Sequence, residues 1–185
     1  CSLDNQKDTI NNLNVFPVPD GDTGTNMSMT FGAAAAAVSK TDTSCGAYEL
    51  LDSLARASLR SARGNSGVIL SQILRGLASG VHARTELGIA DIKSAVCESR
   101  DTAYRAVMKP TEGTILTVVR ETAEFAEAEY ENYSDVQTFI VDLLAAAKAS
   151  LDKTPEILPV LKQAGVVDAG GMGIVTLLEG AAAAL

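Results

Sequence analysis

The chain lacks several features that define whole classes of protein. Its 185 residues include no Trp and only 4% aromatic residues, although 46% are hydrophobic. A core of this composition has to be built from closely packed Ala, Leu, Val and Ile, which favours helices. No apolar run approaches the roughly 18 uninterrupted residues of a membrane span, and the polar opening CSLDNQKDTI is not a signal peptide. We therefore expect no transmembrane segment.

Basic residues and cysteines are also scarce. The chain has 15 Lys and Arg against 23 Asp and Glu, a formal net charge of -8. This balance argues against a nucleic-acid partner, because phosphate backbones require clustered Lys and Arg. The cysteines Cys1, Cys45 and Cys97 are odd in number and show no C-x-x-C spacing, which argues against a disulfide framework or a zinc site. A reducing cytoplasm is the expected location.

Helical patterns run through most of the sequence and predict about eight helices and no strand. In SDVQTFIVDLLAAAKASL, Ser134 and Gln137 have the spacing of a capping box ahead of an apolar stripe. We expect another helix to close at Lys109, and a short one to begin at Thr154 and Pro155. Short loops between such helices favour an antiparallel, up-and-down all-α bundle. We expect residues 1–185 to form a single domain, excised from a longer protein.

The segment NVFPVPDGDTGTNMSM carries the first candidate site. Pro17 and Pro19 extend the backbone, and Gly21 allows a tight turn, so Asp20 and Asp22 can converge on one point. Two converging carboxylates match Mg²⁺, which completes its octahedron with water and phosphate oxygens. The TGTNM that follows opens a helix whose first N–H groups could bind phosphate. An ordinary helix cap remains an alternative for this turn.

Three further loops resemble the first in being rich in Gly and Thr. In ARGNSGVILSQILRGL, we expect Asn65 or Ser66 to cap a helix, although a plain interhelical turn is an alternative. KPTEGTIL joins two long helices, and GVVDAGGMGIV has three glycines where a cap needs one, which suggests close approach of a flat or bulky ligand. About two helices separate consecutive loops, so all four can share one end of a bundle. Together they predict a magnesium-nucleotide site.

Four stretches, LNVFPVPDGDTGTNM, RGNSGVILSQILRG, PTEGTIL and VVDAGGMG, resemble the nucleotide-binding domain of the dihydroxyacetone kinase family. The resemblance is strongest to the branch at the N-terminus of bacterial fatty acid kinases. It implies an antiparallel eight-helix barrel that binds ATP with two Mg²⁺ ions at one rim. It also implies transfer of the γ-phosphoryl group to the carboxylate of a fatty acid on a separate binding protein, which gives an acyl phosphate and ADP.

The resemblance also assigns residues by position. Asp20 and Asp22 would be magnesium ligands and the main catalytic groups, and Asn14 stands one residue from the place of a third ligand. The residues expected to contact the phosphates are Thr23, Thr25, Asn26, Gly64, Asn65, Ser66 and Gly67. Those expected to line the adenosine are Thr114, Asp168, Ala169, Gly170 and Gly171.

Three basic side chains occupy positions that bear on the site. Arg63 and Arg75 flank the second loop, and Arg63, which adjoins Gly64, is the better candidate for stabilising phosphate charge. His82, the only histidine, is expected at the surface or in a cap. No general base is evident, and a carboxylate acceptor, already ionised at neutral pH, needs none.

Two alternatives stay open. The first is a dihydroxyacetone kinase subunit that phosphorylates a small triose. The second is a non-catalytic helical domain that binds nucleotide or metal. An isolated domain of the expected kind can also bind ATP without being active.

Overall fold

The computed structural model describes residues 2–41 and 45–185, so Cys1 lies outside the described residues. Within these ranges the chain forms nine α-helices, one short 3-10 turn at Tyr130–Asn132 and no strand. The helices are α1 Ser2–Asn12, α2 Thr23–Val38, α3 Ala47–Ser61, α4 Gly64–Gly80, α5 Ile89–Ala106, α6 Ile115–Glu129, α7 Val136–Ile157, α8 Pro159–Ala164 and α9 Ala169–Ala182. The all-α prediction is confirmed.

The eight long helices form an antiparallel ring. From α1 to α7 each helix packs on the next along the chain, and α9 packs on α7 and returns to α1. The short helix α8 lies against the end of α7. Because the chain reverses at every connection, the segments 13–22, 62–63, 107–114 and 158–168 lie at one end, which we call the rim. The predicted up-and-down topology is confirmed.

Small residues allow the helices to approach closely, as the composition predicts. A Cβ built on Gly80 would lie 2.6 Å from the Cα of Ala95, and one on Gly76 would overlap the backbone of Ser99. The Ser99 hydroxyl donates to the Ile73 carbonyl of α4 at 2.9 Å. The pair α4 and α5 therefore packs backbone against backbone, which side chains larger than hydrogen would prevent at both glycines.

The main core fills the ring with aliphatic side chains that come from α1, α2, α4, α5, α6, α7 and α9. Leu3, Ile10, Met27 and Leu70 are completely buried in it. A smaller cluster around Phe139 joins α5, α6 and α7 near the opposite end of the barrel. In the part of the chain that the structure describes, no helix combines the length and apolarity needed to cross a bilayer.

Two predicted features of α7 are wrong. Its N-cap is Asp135, whose Oδ2 accepts from the Thr138 N–H at 2.7 Å, so Ser134 does not cap it. The helix also continues through Pro155 to Ile157. Proline lacks the N–H that would bond the carbonyl four residues back, but the Thr154 hydroxyl donates to that same carbonyl, of Leu151, at 2.7 Å. Thr154 and Pro155, which the sequence predicts as the start of a helix, therefore lie inside α7, where the Thr154 hydroxyl replaces the missing proline N–H.

Two other helix ends also differ from their predictions. The short helix α8 begins at Pro159 and ends, as expected, at Gly165, which has a φ of 68°. Helix α5 ends at Ala106, three residues before Lys109, because Val107 is already extended ahead of the segment that leads to Pro110. The rim loop between α5 and α6 is therefore longer than the sequence indicated.

Candidate functional site

The first rim loop holds two exposed carboxylates on either side of a left-handed glycine. Gly21 has a φ of 67°, a conformation that favours glycine, and Asp20 and Asp22 flank it. The Asn14 side chain is 7% exposed and donates from Nδ2 to Asp20 Oδ1 at 2.7 Å. Asn14 therefore fixes the orientation of Asp20 while the rest of that carboxylate faces solvent.

Asp22 occupies the N-cap position of α2 without acting as a side-chain cap. Its carboxylate makes no capping hydrogen bond, and only its backbone carbonyl joins the helix, accepting from the Asn26 N–H at 2.8 Å. An ordinary cap would direct the carboxylate at the N–H of the second or third helical residue. The geometry therefore disfavours the cap interpretation and leaves the Asp22 side chain available to a ligand.

The oxygen ligands available in this loop fit a hard cation that takes only two or three of its ligands from the protein. Within residues 2–41 and 45–185 no group of three or more His, Cys, Asp or Glu side chains is placed to hold a metal. Asp20 and Asp22 can supply two carboxylates and Asn14 an amide oxygen. Mg²⁺ commonly binds through one or two carboxylates and takes its other ligands from water and phosphate. The residues present therefore fit Mg²⁺ bound together with a phosphate-bearing ligand.

The first turn of α2 is held against α1 by a side chain that sequence reasoning missed. Asn11 Oδ1 accepts from the Thr25 N–H at 3.0 Å, and Asn11 Nδ2 donates to Thr25 Oγ1 at 3.0 Å. The Thr25 N–H is thus already used, whereas those of Thr23 and Gly24 have no acceptor within the helix. No local pattern marks Asn11, because its partner lies 14 residues further along the chain.

The second rim loop docks onto α2. Helix α4 begins at Gly64, and Arg63 is its N-cap residue, without a side-chain cap. The expectation that Asn65 or Ser66 caps this helix is therefore wrong, since both lie inside its first turn. The reason is tertiary: the Arg63 N–H donates to Thr30 Oγ1 at 3.3 Å, and this contact with α2 sets where α4 starts.

Two glycines make this docking possible and bring the predicted residues together. A Cβ on Gly67 would lie 2.5 Å from Thr30 Oγ1, and one on Gly64 would overlap the Asn26 amide. Asn26 and the loop at Gly64 to Gly67 are therefore in direct contact, as one shared site requires. The N–H groups of residues 64–66 precede the first helical bond, made by Gly67, and are the ones that an anion could use.

The third and fourth rim loops meet at Asp168. This side chain is 5% exposed and caps α9 by accepting from the Gly171 N–H at 2.7 Å, and the adjacent Gly170 packs directly on Ile115 of α6. Burial raises its pKa to about 6, and the neighbouring backbone N–H groups act in the opposite direction. Thr114, the N-cap of α6, is the neighbour of Ile115, so the predicted residues of both loops lie together.

The glycines of the fourth loop make room for neighbouring helices. A Cβ on Gly170 would lie 3.0 Å from the Cβ of Ile115, and one on Gly171 would lie 2.9 Å from Val118. A Cβ on Gly173 would lie 2.5 Å from Met27. Packing of α9 against its neighbours therefore accounts for the glycine excess, and the interpretation that these glycines make room for a ligand is not needed.

A carboxylate that sequence reasoning missed fixes the third loop. Glu112 accepts from Thr117 Oγ1 at 2.6 Å, from the Tyr104 hydroxyl at 2.9 Å and from Arg120 at 3.1 Å. Burial alone would raise the pKa of Glu112, but these three donors outweigh it and leave the pKa below its ordinary value. Glu112 thereby holds the segment that carries Thr114.

The two other basic candidates lie away from this cluster. Arg75 is exposed on α4, 11 positions after Gly64 and so about 16 Å along the helix. His82 is exposed near the opposite end of the barrel, edge-on to Tyr48 with ring centroids 4.7 Å apart, which agrees with a surface role. Arg63 alone of the three lies at the rim.

The chain is an antiparallel helical barrel whose Gly- and Thr-rich loops share one rim with paired carboxylates. The DAK2 domain family matches residues 17–183, and the chain belongs to this family of dihydroxyacetone kinase-like domains. It is 43% identical over 184 residues to Protein YloV of Bacillus subtilis, covering 100% of this chain and 33% of that protein. It is 42% identical over 179 residues to an uncharacterized protein of Staphylococcus epidermidis, covering 97% and 32%. The chain thus spans about a third of the length of these relatives.

Proposed function

We propose that this domain binds Mg²⁺-ATP at the rim and takes part in transfer of the γ-phosphoryl group. The observation that supports the proposal is the pair Asp20 and Asp22, both exposed, neither used as a helix cap, and set where α2 begins. Phosphoryl transfer asks the protein mainly for positioning and charge neutralisation. Two solvent-facing carboxylates beside helix N-termini can bind the metal that neutralises phosphate charge and can position the nucleotide.

Each rim loop has a role in this proposal. Asp20 and Asp22 hold Mg²⁺, of which two ions are bound, and Asn14 orients Asp20 and offers an amide oxygen. The bound metal neutralises phosphate charge. Arg63 adds positive charge to the same region. The proposed phosphate contacts are Thr23, Thr25, Asn26, Gly64, Asn65, Ser66 and Gly67, and the adenosine lies against Thr114, Asp168, Ala169, Gly170 and Gly171.

We further propose that the acceptor is the carboxylate of a fatty acid presented by a separate binding protein, and that the reaction takes place in the cytoplasm. The only histidine, His82, lies far from the rim, and a carboxylate acceptor needs no base. A triose hydroxyl would need a proton acceptor in the transition state, which makes a dihydroxyacetone kinase subunit the second candidate. Assays of acyl phosphate and triose phosphate with the full-length protein separate the two, and turnover of triose alone would refute the first.

Calorimetry of ATP binding with and without Mg²⁺ tests the site itself. The proteins to compare are the wild type, the Asp20→Asn/Asp22→Asn variant and the control Asp152→Asn, whose carboxyl is exposed on α7. We expect magnesium-dependent binding that the double variant loses and the control retains, with unchanged helical circular dichroism. Equal binding by all three proteins, or by none, would instead support a structural or non-catalytic domain.

A further inference from the structure

The positive charge of this acidic chain is concentrated on one helical hairpin. Residues 53–85 contain no Asp or Glu but hold the only histidine and five arginines, which are Arg56, Arg60, Arg63, Arg75 and Arg84. The other ten Lys and Arg share the rest of the chain with all 23 Asp and Glu. The exposed side of α3 and α4, which we call the α3–α4 face, is therefore a basic surface on a protein that is otherwise strongly acidic.

An open groove of about 290 Å³ runs between the two helices on this face. Its α3 side extends from Tyr48 to Leu59, a length of about 16 Å, and its α4 side carries Arg75 and His82. Leu59 is 49% exposed, and Arg56 projects from the same wall. The groove thus combines an apolar floor with one arginine on each wall over about three helical turns, and Asp52 on the α3 wall is its one acidic side chain.

Much of this positive charge is not neutralised within the protein. Arg56 pairs with Asp52 at 2.7 Å, but its side chain is 69% exposed, so the pair is weak. Arg84 pairs with Asp91 at 2.8 Å, whereas among the described residues Arg60, Arg63 and Arg75 form no salt bridge. The face therefore keeps most of its attraction for a negatively charged partner.

We propose that the α3–α4 face is a docking surface for an acidic amphipathic helix of a partner protein. Carboxylates of that helix pair with Arg56 and Arg75, while an apolar side chain packs on Leu59. Helix-in-groove binding uses such an apolar stripe, and complementary charge sets the partner and the orientation. Arg56 and Arg75 lie on opposite walls of the groove, which favours an extended polyanion over a single small anion. The groove residues are separate from the rim residues of the proposed function, and Arg63 is not one of them.

A synthetic helical peptide of Glu, Ala and Leu, about 16 residues and so about 24 Å long, spans the whole groove and is a direct probe. The imidazole signals of His82 report on the groove without ambiguity, because the chain has no other histidine. We expect the peptide to shift these signals and to bind about tenfold more weakly to Arg75→Glu, since the variant repels the carboxylates. The matched control Lys153→Glu, which makes the same charge change on the exposed side of α7, should bind the peptide like the wild type.

Four outcomes would overturn the proposal. They are equal binding of a peptide with Gln in place of every Glu, equal weakening by Lys153→Glu, an equal shift of the His82 signals by inorganic phosphate, and tighter binding to vesicles of phosphatidylglycerol. Circular dichroism confirms that the Arg75→Glu variant is folded. Calorimetry with Mg²⁺-ATP on the same variant distinguishes this proposal from that of ATP binding at the rim. If Arg75→Glu loses peptide binding but still binds ATP, the substitution affects the α3–α4 face alone.

Discussion

Asp168 allows a quantitative test of how the rim is held together. Replacing it by Ala removes the cap of α9 and leaves the buried Gly171 N–H without its acceptor. Loss of a cap costs about 1 kcal/mol, and the cost rises to about 1–3 kcal/mol where the N–H left unpaired is buried. We therefore expect Asp168→Ala to lower the free energy of unfolding by about 2 kcal/mol at neutral pH. For a domain of this size that corresponds to a fall in melting temperature of roughly 4–8 °C.

The effect of Asp168→Ala on the free energy of unfolding should depend on pH, in a direction set by the burial of the carboxyl group. The pKa of Asp168 is raised from 3.8 to about 6, so the folded state binds this proton more tightly than the unfolded state does. Its contribution to stability is greatest at acid pH and is lost as the pH rises from about 4 to about 6, by up to about 3 kcal/mol. The stability difference between wild type and Asp168→Ala should therefore widen as the pH falls.

Urea unfolding followed by circular dichroism, at several pH values from about 4.5 to 7.5, measures this difference. Carboxylates such as Glu112, whose pKa is lowered, titrate with the opposite sign but are common to both proteins and cancel. Asp152→Ala, at an exposed site on α7, is the matched control for removal of a carboxyl group. A difference for Asp168→Ala that stays constant or narrows towards acid pH would refute the account of its burial.

Three further substitutions test other contacts of the rim and the core. Asn14→Ala removes the hydrogen bond that orients Asp20 and should weaken magnesium-dependent ATP binding by about tenfold in calorimetry, without changing the melting temperature. Gly173→Ala places a Cβ 2.5 Å from Met27 and should destabilise the protein by about 1–3 kcal/mol, and the same change should cost less in a Met27→Ala background, where the clash is absent. Glu112→Gln should lower stability at neutral pH, and because the pKa of Glu112 is lowered, the loss should shrink as the pH falls through that pKa. A loss that grows towards acid pH would contradict the last of these.

Local patterns predicted the helices and the position of the candidate site better than they predicted the contacts. The apolar periodicity of α7 and the end of α8 at Gly165 depend on neighbours within one or two turns, so the sequence shows them. The common rim followed from counting helices between loops, because an up-and-down chain returns to the same end after every second helix.

What the sequence could not predict depends on partners that are distant along the chain. Thr30 of α2 accepts from the Arg63 N–H where α4 begins, and Ile115 of α6 packs on Gly170 of α9. The glycines of the fourth loop looked like room for a ligand because Met27 and the other side chains that fill the space come from different helices. Whether the rim residues bind a nucleotide stays a prediction.

The closure of the ring brings the start of α1 beside the end of α9, at the end of the barrel away from the rim. A Cβ on Gly180 would lie 2.9 Å from the hydroxyl of Ser2. A short peptide linker could therefore join these two helices, and the chain could be reopened in the exposed loop 81–88. Such a circular permutant would keep every rim loop intact, and α9 and α1 would become consecutive helices of one helical hairpin. Because the new opening places α4 and α5, the most extensively packed pair, at opposite ends of the chain, and because distant contacts form later than local ones, we expect it to fold more slowly than the natural order of helices.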